Sequence, residues 1–223
     1  MTDLILMDTF VNMRFDEKMM KNAAVTVKEY MSILEKDPAA FVKIFKLIMG
    51  HPYLMRHAFT SSIFSILLAR KDDMSSEKTL VAVGLGGLLH DIGLSQLTFD
   101  TEEKEELTPE EWKQLKSHPQ LGKQLLDGIK LVPSEVRTIT LQHHEQPNGM
   151  GYPNGLHDKH IFYLAKITAI ADTFTALISQ RPFRKQAFTP LEALEAMRED
   201  RGKYDAKLLN HFMDMFVHLK KSG

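Results

Sequence analysis

Ten histidines and no cysteine occur among the 223 residues, so metal chemistry in this chain would rest on imidazole and carboxylate rather than thiolate. The same absence removes disulfides, iron–sulfur clusters and cysteine nucleophiles. His90-Asp91 closes a nearly uncharged stretch, Val81 to Leu89. A carboxylate at the end of a largely buried segment is costly unless it is paired or bound to a cation. Asp172 poses the same problem within Ile167 to Leu177, where its neighbours are apolar or hydroxylic and no lysine or arginine stands three or four residues away. His143-His144 end another amphipathic segment, His57 lies one turn into a helix opened by Pro52, and His118-Pro119 falls between two helical stretches. Taken singly, each histidine reads as a packed, hydrogen-bonded side chain and each aspartate as a cap or ion-pair partner. Even His143-His144 is unspecific alone, because helical neighbours point about 100° apart. Only the set as a whole argues for ligands.

The elements that must carry these residues read as helices throughout. No segment sustains period-2 alternation, and no Asn-Gly turn joins β-branched runs. Asp37-Pro38 predicts a capped helix start whose apolar run stops at Gly50, and Pro52 opens a longer helix from Tyr53 to Arg70. Ser75 or Ser76 can cap a helix through Leu89. Thr108-Pro109-Glu110-Glu111 and Thr189-Pro190-Leu191-Glu192 both fit the capping box. Further helices are expected over 134–144, 160–179 and 205–220. The strongest loop signal is Pro147 to Gly155, rich in glycine and proline. The expected fold class is all-α, with residues 1–50 as an N-terminal helical extension and 51–223 as the domain that carries the chemistry.

Composition narrows the classes further. Apolar residues make up 43% and charged residues 26%, the balance of a globular chain. Lysine plus arginine is 28 against 29 for aspartate plus glutamate, so no basic field attracts nucleic acid or an anionic membrane. The longest apolar run, Leu80 to Leu89, is half of the roughly 20 residues a bilayer span needs. Met1 to Asp8 lacks the pattern of a signal peptide. A soluble cytoplasmic protein with no membrane or direct nucleic-acid partner is expected. The 13 methionines read as adaptable core filling.

The set as a whole resembles a known family. His90-Asp91-Ile92-Gly93 resembles the HD signature of the HD phosphohydrolase superfamily. His143-His144-Glu145, followed by Gly149 and Gly151-Tyr152-Pro153, is similar to the extended signature of its HD-GYP branch. His57, His118-Pro119 with Gly122, Ile170-Ala171-Asp172 and Arg181-Pro182-Phe183-Arg184 fall where that branch has its remaining motifs, and the likeness runs from about residue 53 to residue 200. It implies a helical HD-domain bundle with a metal centre in its core and a Gly-Tyr-Pro substrate loop. It implies a cyclic di-GMP phosphodiesterase giving linear pGpG, GMP or both. The implied metal ligands are His57, His90, Asp91, His118, His143, His144 and Asp172, with Asp91 bridging two ions and His90 and Asp91 at the reacting centre.

Five imidazoles and two carboxylates suit two divalent transition metals, iron or manganese first and zinc or nickel next, rather than calcium or magnesium. Such a pair, about 3.5–4 Å apart, would hold a bridging hydroxide and neutralise phosphoryl charge. Glu145 reads either as orienting an imidazole or as a surface glutamate at a helix end. The implied substrate contacts are Gly149, Gly151, Tyr152 and Pro153 of the loop, with Arg181 and Arg184 as phosphate binders. His157 and His160 match no family ligand and are expected to face solvent; His51, His211 and His218 are unassigned. The small-molecule partner is a cyclic dinucleotide, and signalling proteins are the other expected partners.

Three positions depart from the family pattern. Leu94 stands where many members have a lysine, Tyr53 where some have a glutamate associated with a third metal, and Thr175 where a second aspartate is common. Tyr53 argues for a two-metal centre. Leu94 and Thr175 leave open two rival readings: a domain that binds cyclic di-GMP and signals without useful turnover, and an HD phosphohydrolase acting on another nucleotide.

Overall fold

A computed structural model describes residues 16–37, 44, 48, 50–181 and 186–217. Among them run nine α-helices: α1 (Glu17–Lys36), α2 (Tyr53–Lys71), α3 (Glu77–Leu89), α4 (Pro109–Leu115), α5 (His118–Asp127), α6 (Ser134–Gln142), α7 (Tyr163–Leu177), α8 (Pro190–Glu199) and α9 (Ala206–Asp214). Short 3₁₀ turns follow at Ile92–Gln96, after α3, and at Asp158–His160, before α7. No strand forms among the described residues; Asn148 and His157 make an isolated bridge. No described helix is long and apolar enough to cross a membrane.

The all-α expectation is met; α2 runs one residue past its expected end, to Lys71, while α6 and α7 end short of theirs. The helix expected over 160–179 runs from Tyr163 to Leu177, because Phe162 is extended and its N–H is taken by the Gln142 side chain, 2.7 Å away. The helix expected over 205–220 ends earlier, at Asp214, with Met215 as its C-cap; of the helix expected after Asp37-Pro38 only Ile44 and Ile48 are described, both helical, and the rest lies outside the described residues. Both capping boxes form: Thr108 with Glu111 and Thr189 with Glu192 satisfy each other's first-turn donors, an arrangement in which the cap alone is worth about 1 kcal/mol.

The core lies where α2, α3 and α7 meet. α3 is apolar on all sides and buries Leu80, Val83, Leu85, Leu88 and Leu89, as a helix covered on every side must. α2 buries Ile63, Phe64, Ile66 and Leu68 together with Thr60, Ser61, Ser62 and Ser65. The Ser62 hydroxyl is bonded to the Tyr30 hydroxyl of α1 and donates to the Gly84 carbonyl of α3. α1 contributes Met19, Met20, Val27 and Leu34 to the same core, so this part of the segment before residue 51 shares its burial with the rest of the chain. Phe64, Phe174 and Phe212, with ring centroids 5.0 to 5.6 Å apart, fasten α9 to α2 and α7.

One contact fixes the geometry at the end of α3. The chain leaves α3 through His90 and Asp91 into the 3₁₀ turn, where Gly93 presses on the first turn of α5. A Cβ on Gly93 would lie 2.0 Å from the His118 carbonyl oxygen and 2.6 Å from the Gly122 nitrogen. Only glycine permits that approach, and through it Asp91 and His118 are brought to one place.

Candidate metal centre

Seven side chains from five parts of the chain converge at this point. His57 comes from α2, His90 and Asp91 from the end of α3, His118 from the start of α5, His143 and His144 from the end of α6, and Asp172 from the middle of α7. Their ligand atoms form two groups, each with all members within 4.8 Å of one another: Asp91, His118, His143 and His144 in one, and His57, His90 and Asp172 in the other. All seven residues implied by the sequence resemblance are therefore together.

Asp91 faces both groups. Its Oδ2 lies 3.3 Å from His90 Nε2 and 3.6 Å from His57 Nε2, while its Oδ1 lies 3.2 Å from His118 Nε2 and 3.7 Å from His143 Nε2. Asp172 places Oδ1 3.0 Å from His57 Nε2 and 3.7 Å from His90 Nε2, and its Oδ2 3.8 Å from His144 Nδ1. Asp91 thus joins the two groups, and Asp172 sits mainly with His57 and His90.

The imidazoles are held in the form that binds a cation. Nδ1 of His90, His118 and His143 lies 2.8, 2.7 and 2.8 Å from the carbonyls of Gly87, Leu115 and Thr140. A carbonyl accepts only, so each Nδ1 carries the proton, and a neutral ring then presents a lone pair at Nε2. Yet His118 Nε2 faces His143 Nε2 at 3.1 Å, and His57 Nε2 faces His90 Nε2 at 3.2 Å. For His118 and His143, whose Nδ1 protons are both fixed by carbonyls, two lone pairs face each other and repel unless a cation or proton lies between them; no carbonyl fixes the tautomer of His57 in the second pair. Two nitrogens at about 2.1 Å from one ion, with a bond angle near 90°, are about 3.0 Å apart, so the donor set fits a metal in each group. His57 differs in that its Nδ1 is buried with no hydrogen-bond partner among the described residues.

The electrostatics agree with that fit. Burial opposes ionisation of Asp91 and Asp172, but the surrounding imidazoles outweigh it and hold both carboxyls well below the usual carboxylate range. Loss of hydration pushes His143 down, and loss of hydration with the neighbouring His143 pushes His144 well down, so both stay neutral. Burial also opposes charge on His90, yet Asp91 and Asp172 overcome it and raise His90 well above the ordinary value. Without a cation, a proton at His90 balances the carboxylates.

The Gly-Tyr-Pro loop packs against this centre. Tyr152 donates its backbone N–H to the His144 carbonyl, 3.1 Å, and its ring lies 4.6 Å from the His144 ring. Gly151 makes that possible: a Cβ there would meet the Gln146 nitrogen at 2.4 Å and the His144 oxygen at 2.5 Å. Gly149 and Pro153 complete the loop, with Gly149 in the left-handed region at φ 78°. Burial, then Asp172 and Asp91, push the Tyr152 hydroxyl up, so it remains protonated. Tyr152 thus touches His144 through both its backbone and its ring.

Glu145 does neither of the things expected of it. It is buried, 3% exposed, and its carboxylate accepts the backbone N–H groups of Asn154 at 2.7 Å and Leu156 at 2.8 Å. It ties the loop's far side to the end of α6 instead of orienting an imidazole or facing solvent. Nothing local in the sequence signals this, since both partners are backbone amides nine and eleven residues away.

Tyr53, the position without the family glutamate, stacks on His57 with ring centroids 5.5 Å apart and planes 23° from parallel. Arg181 lies over the Tyr53 ring, 4.7 Å from its centroid, and donates to its hydroxyl. Arg181 is therefore at the His57 side of the centre, while Arg184 lies outside the described residues. Thr175 is buried, its hydroxyl without a partner among the described residues. Leu94 borders a cavity of about 350 Å³ beside Asp91. His157 and His160 are exposed, and His211 pairs with Asp72, 3.1 Å away.

Residues 46–208 match the model of the HD domain family. The chain belongs to that family. It is 31% identical over 193 residues to a cyclic di-GMP phosphodiesterase of Pseudomonas aeruginosa, covering 86% of this chain and 46% of that protein. It is 36% identical over 139 residues to a cyclic di-GMP phosphodiesterase response regulator of Xanthomonas campestris, covering 61% of this chain and 36% of the relative. The HD-family chain thus spans about half or less of the length of these curated relatives. Among solved structures it resembles an HDG"Y"P protein from Bdellovibrio bacteriovorus, with 26% identity and a TM-score of 0.70 over 89% of this chain and 62% of that one. The family match and the His/Asp cluster together point to a divalent metal centre.

Proposed function

We propose that this HD domain is a metal-dependent phosphodiesterase that hydrolyses cyclic di-GMP to linear pGpG, GMP or both. The observation that carries the reading is the division of Asp91 between the two histidine groups, Oδ2 toward His57 and His90 and Oδ1 toward His118 and His143. A carboxylate so placed could serve a cation in each group, and such a pair would supply what phosphodiester hydrolysis needs most, activation of water and neutralisation of charge on the phosphoryl oxygens. The names of the relatives supply the substrate class.

In this reading His57, His90 and Asp172 hold one ion, and His118, His143 and His144 the other. Imidazole with carboxylate favours iron or manganese, with zinc or nickel as alternatives. The backbone carbonyls behind His90, His118 and His143 fix each ring's orientation, so the centre is preorganised. Arg181, held against Tyr53, offers a guanidinium to a substrate phosphate, and Tyr152 offers a ring and a neutral hydroxyl to ribose or base. Residues 51–223 form the catalytic unit, with α1 of the preceding extension packed on it.

The test is incubation of anaerobically prepared, metal-quantified protein with cyclic di-GMP, followed by separation of products. Turnover that scales with metal content supports the reading. Tight binding without turnover at two metals per chain overturns it in favour of a receptor.

A further inference from the structure

A cavity adjoins the candidate metal centre at Asp91. Its volume is about 350 Å³, within the range of small-molecule sites. Asp91 forms part of its wall, so it adjoins the bridging carboxylate directly. The remaining wall is largely apolar, with Leu54, Leu94, Leu97 and Phe99, while Thr98 and Asp100 bring polar groups to its exposed edge.

We propose that this cavity is a guanine subsite, taking one base of the dinucleotide whose phosphodiester is held at the metal centre. The proposal rests on the hydrolysis reading given above. A flat heteroaromatic ring suits an apolar slot that contains a phenyl ring, because stacking and burial act on any base face. Selectivity comes from the edge. A carboxylate only accepts hydrogen bonds. The Watson–Crick edge of guanine presents two adjacent donors, N1–H and the exocyclic amine, which one carboxylate can receive. Adenine presents one donor beside a lone pair, which a carboxylate repels. Asp100 is the carboxylate on this edge; its Oδ1 already accepts the Glu102 N–H at 2.7 Å, which orients the group.

The slot is built before any ligand arrives. The Glu102 side chain accepts the Leu54 N–H in the first turn of α2, 3.0 Å, where Pro52 provides no side-chain cap. Thr98 Oγ1 donates to Gln114 of α4 at 2.9 Å, and Lys104 lies 5.8 Å from the Phe99 ring centre while pairing with Glu111. Residues 97–104 are thus tied to α2 and α4, which lowers the ordering cost of binding. Leu94 then has a reason of its own: an ammonium at this position would enter an apolar wall, whereas leucine completes it.

The experiment is a titration of the 223-residue chain, metal-depleted and isotope-labelled at leucine methyls, with millimolar cyclic di-GMP and cyclic di-AMP. Expected are shifts at Leu94 and Leu97 with cyclic di-GMP, at least tenfold weaker binding in Leu94→Trp, and at least a tenfold fall in guanine-over-adenine preference in Asp100→Asn. Metal content after reconstitution should match the parent in both variants. Absence of any shift at Leu94 and Leu97, or unchanged preference in Asp100→Asn, overturns the subsite. Failure of the two proposals is distinguishable. A parent that shows the cavity shifts but never hydrolyses cyclic di-GMP leaves the subsite standing and removes the hydrolysis reading. A parent that turns over, with an unchanged KM in Leu94→Trp, does the reverse.

Discussion

The His118 carbonyl oxygen occupies the space beside Gly93 so closely that a methyl group on Gly93 would lie 2.0 Å from it. The atom in the way is backbone at the first turn of α5, so no rotamer change relieves the clash. Gly93→Ala must therefore push the 3₁₀ turn and α5 apart, and with them Asp91 Oδ1 and His118 Nε2, now 3.2 Å apart. The expected outcome is a loss of metal at the His118, His143 and His144 group with the helical circular dichroism retained. Full metal content in Gly93→Ala would show that the turn yields elsewhere.

Asp91 serves both groups, so its loss should affect both. Asp91→Ala is expected to reduce bound metal from two ions per chain to one or none and to leave no measurable hydrolysis. His144→Ala, which removes a ligand from one group only, should retain the ion held by His57, His90 and Asp172. Elemental analysis of the purified variants after identical loading checks the contrast, and equal losses in the two would contradict a bridging role.

Protonation gives the two groups different pH responses. His90 is raised well above the ordinary histidine value, whereas His143 and His144 are lowered. A raised pKa means that a proton still competes with metal at His90 near neutral pH, and more strongly as pH falls. Metal binding at the His57, His90 and Asp172 group should release the His90 proton at pH 7 and weaken on acidification, whereas His143 and His144 have none to release. Calorimetric titration of metal in buffers of different ionisation enthalpy measures the proton count directly. The same proton release for both ions would refute the assignment.

Legibility in the sequence followed the range of the interactions. The helices were readable because caps and apolar spacing are local: Thr108 and Thr189 announce their helices within four residues. The seven converging residues were readable as a set through their likeness to family motifs, and Asp172 stood out physically as a carboxylate without a nearby cation. The sequence could not show that Glu145 serves the loop, because its partners are backbone N–H groups, which every residue but proline has. Nor could it show the Tyr53–Arg181 pairing, which spans 128 positions, or the cavity at Leu94, which exists only once α2, α3 and the 97–104 segment meet. Leu94 and Tyr53 read as losses against the family pattern, while in the fold each has a partner surface of its own.

The network at Asp72 predicts how acid acts on the fold away from the metals. Asp72 follows α2, and its side chain is 4% exposed. Its Oδ2 accepts the Tyr163 hydroxyl at 2.7 Å, and its Oδ1 lies 2.7 Å from Lys207 Nζ and 3.1 Å from His211 Nδ1. It thus joins the end of α2 to the start of α7 and to α9. Burial works to raise its pKa, but Lys207, Tyr163 and His211 prevail and lower it. A carboxyl with a depressed folded-state pKa adds stability that is complete above the unfolded value, about 3.9, and is lost as pH falls through the folded value. The parent should therefore exceed Asp72→Asn in stability at pH 7, with the Tyr163 bond to a charged acceptor contributing about 1.5–3 kcal/mol. That difference should shrink below about pH 4, where the unfolded chain takes up its proton. Urea denaturation of metal-depleted parent and variant from pH 3 to pH 7 separates this effect from metal release. A difference independent of pH would show that Asp72 acts through packing and neutral hydrogen bonds, and not through its charge.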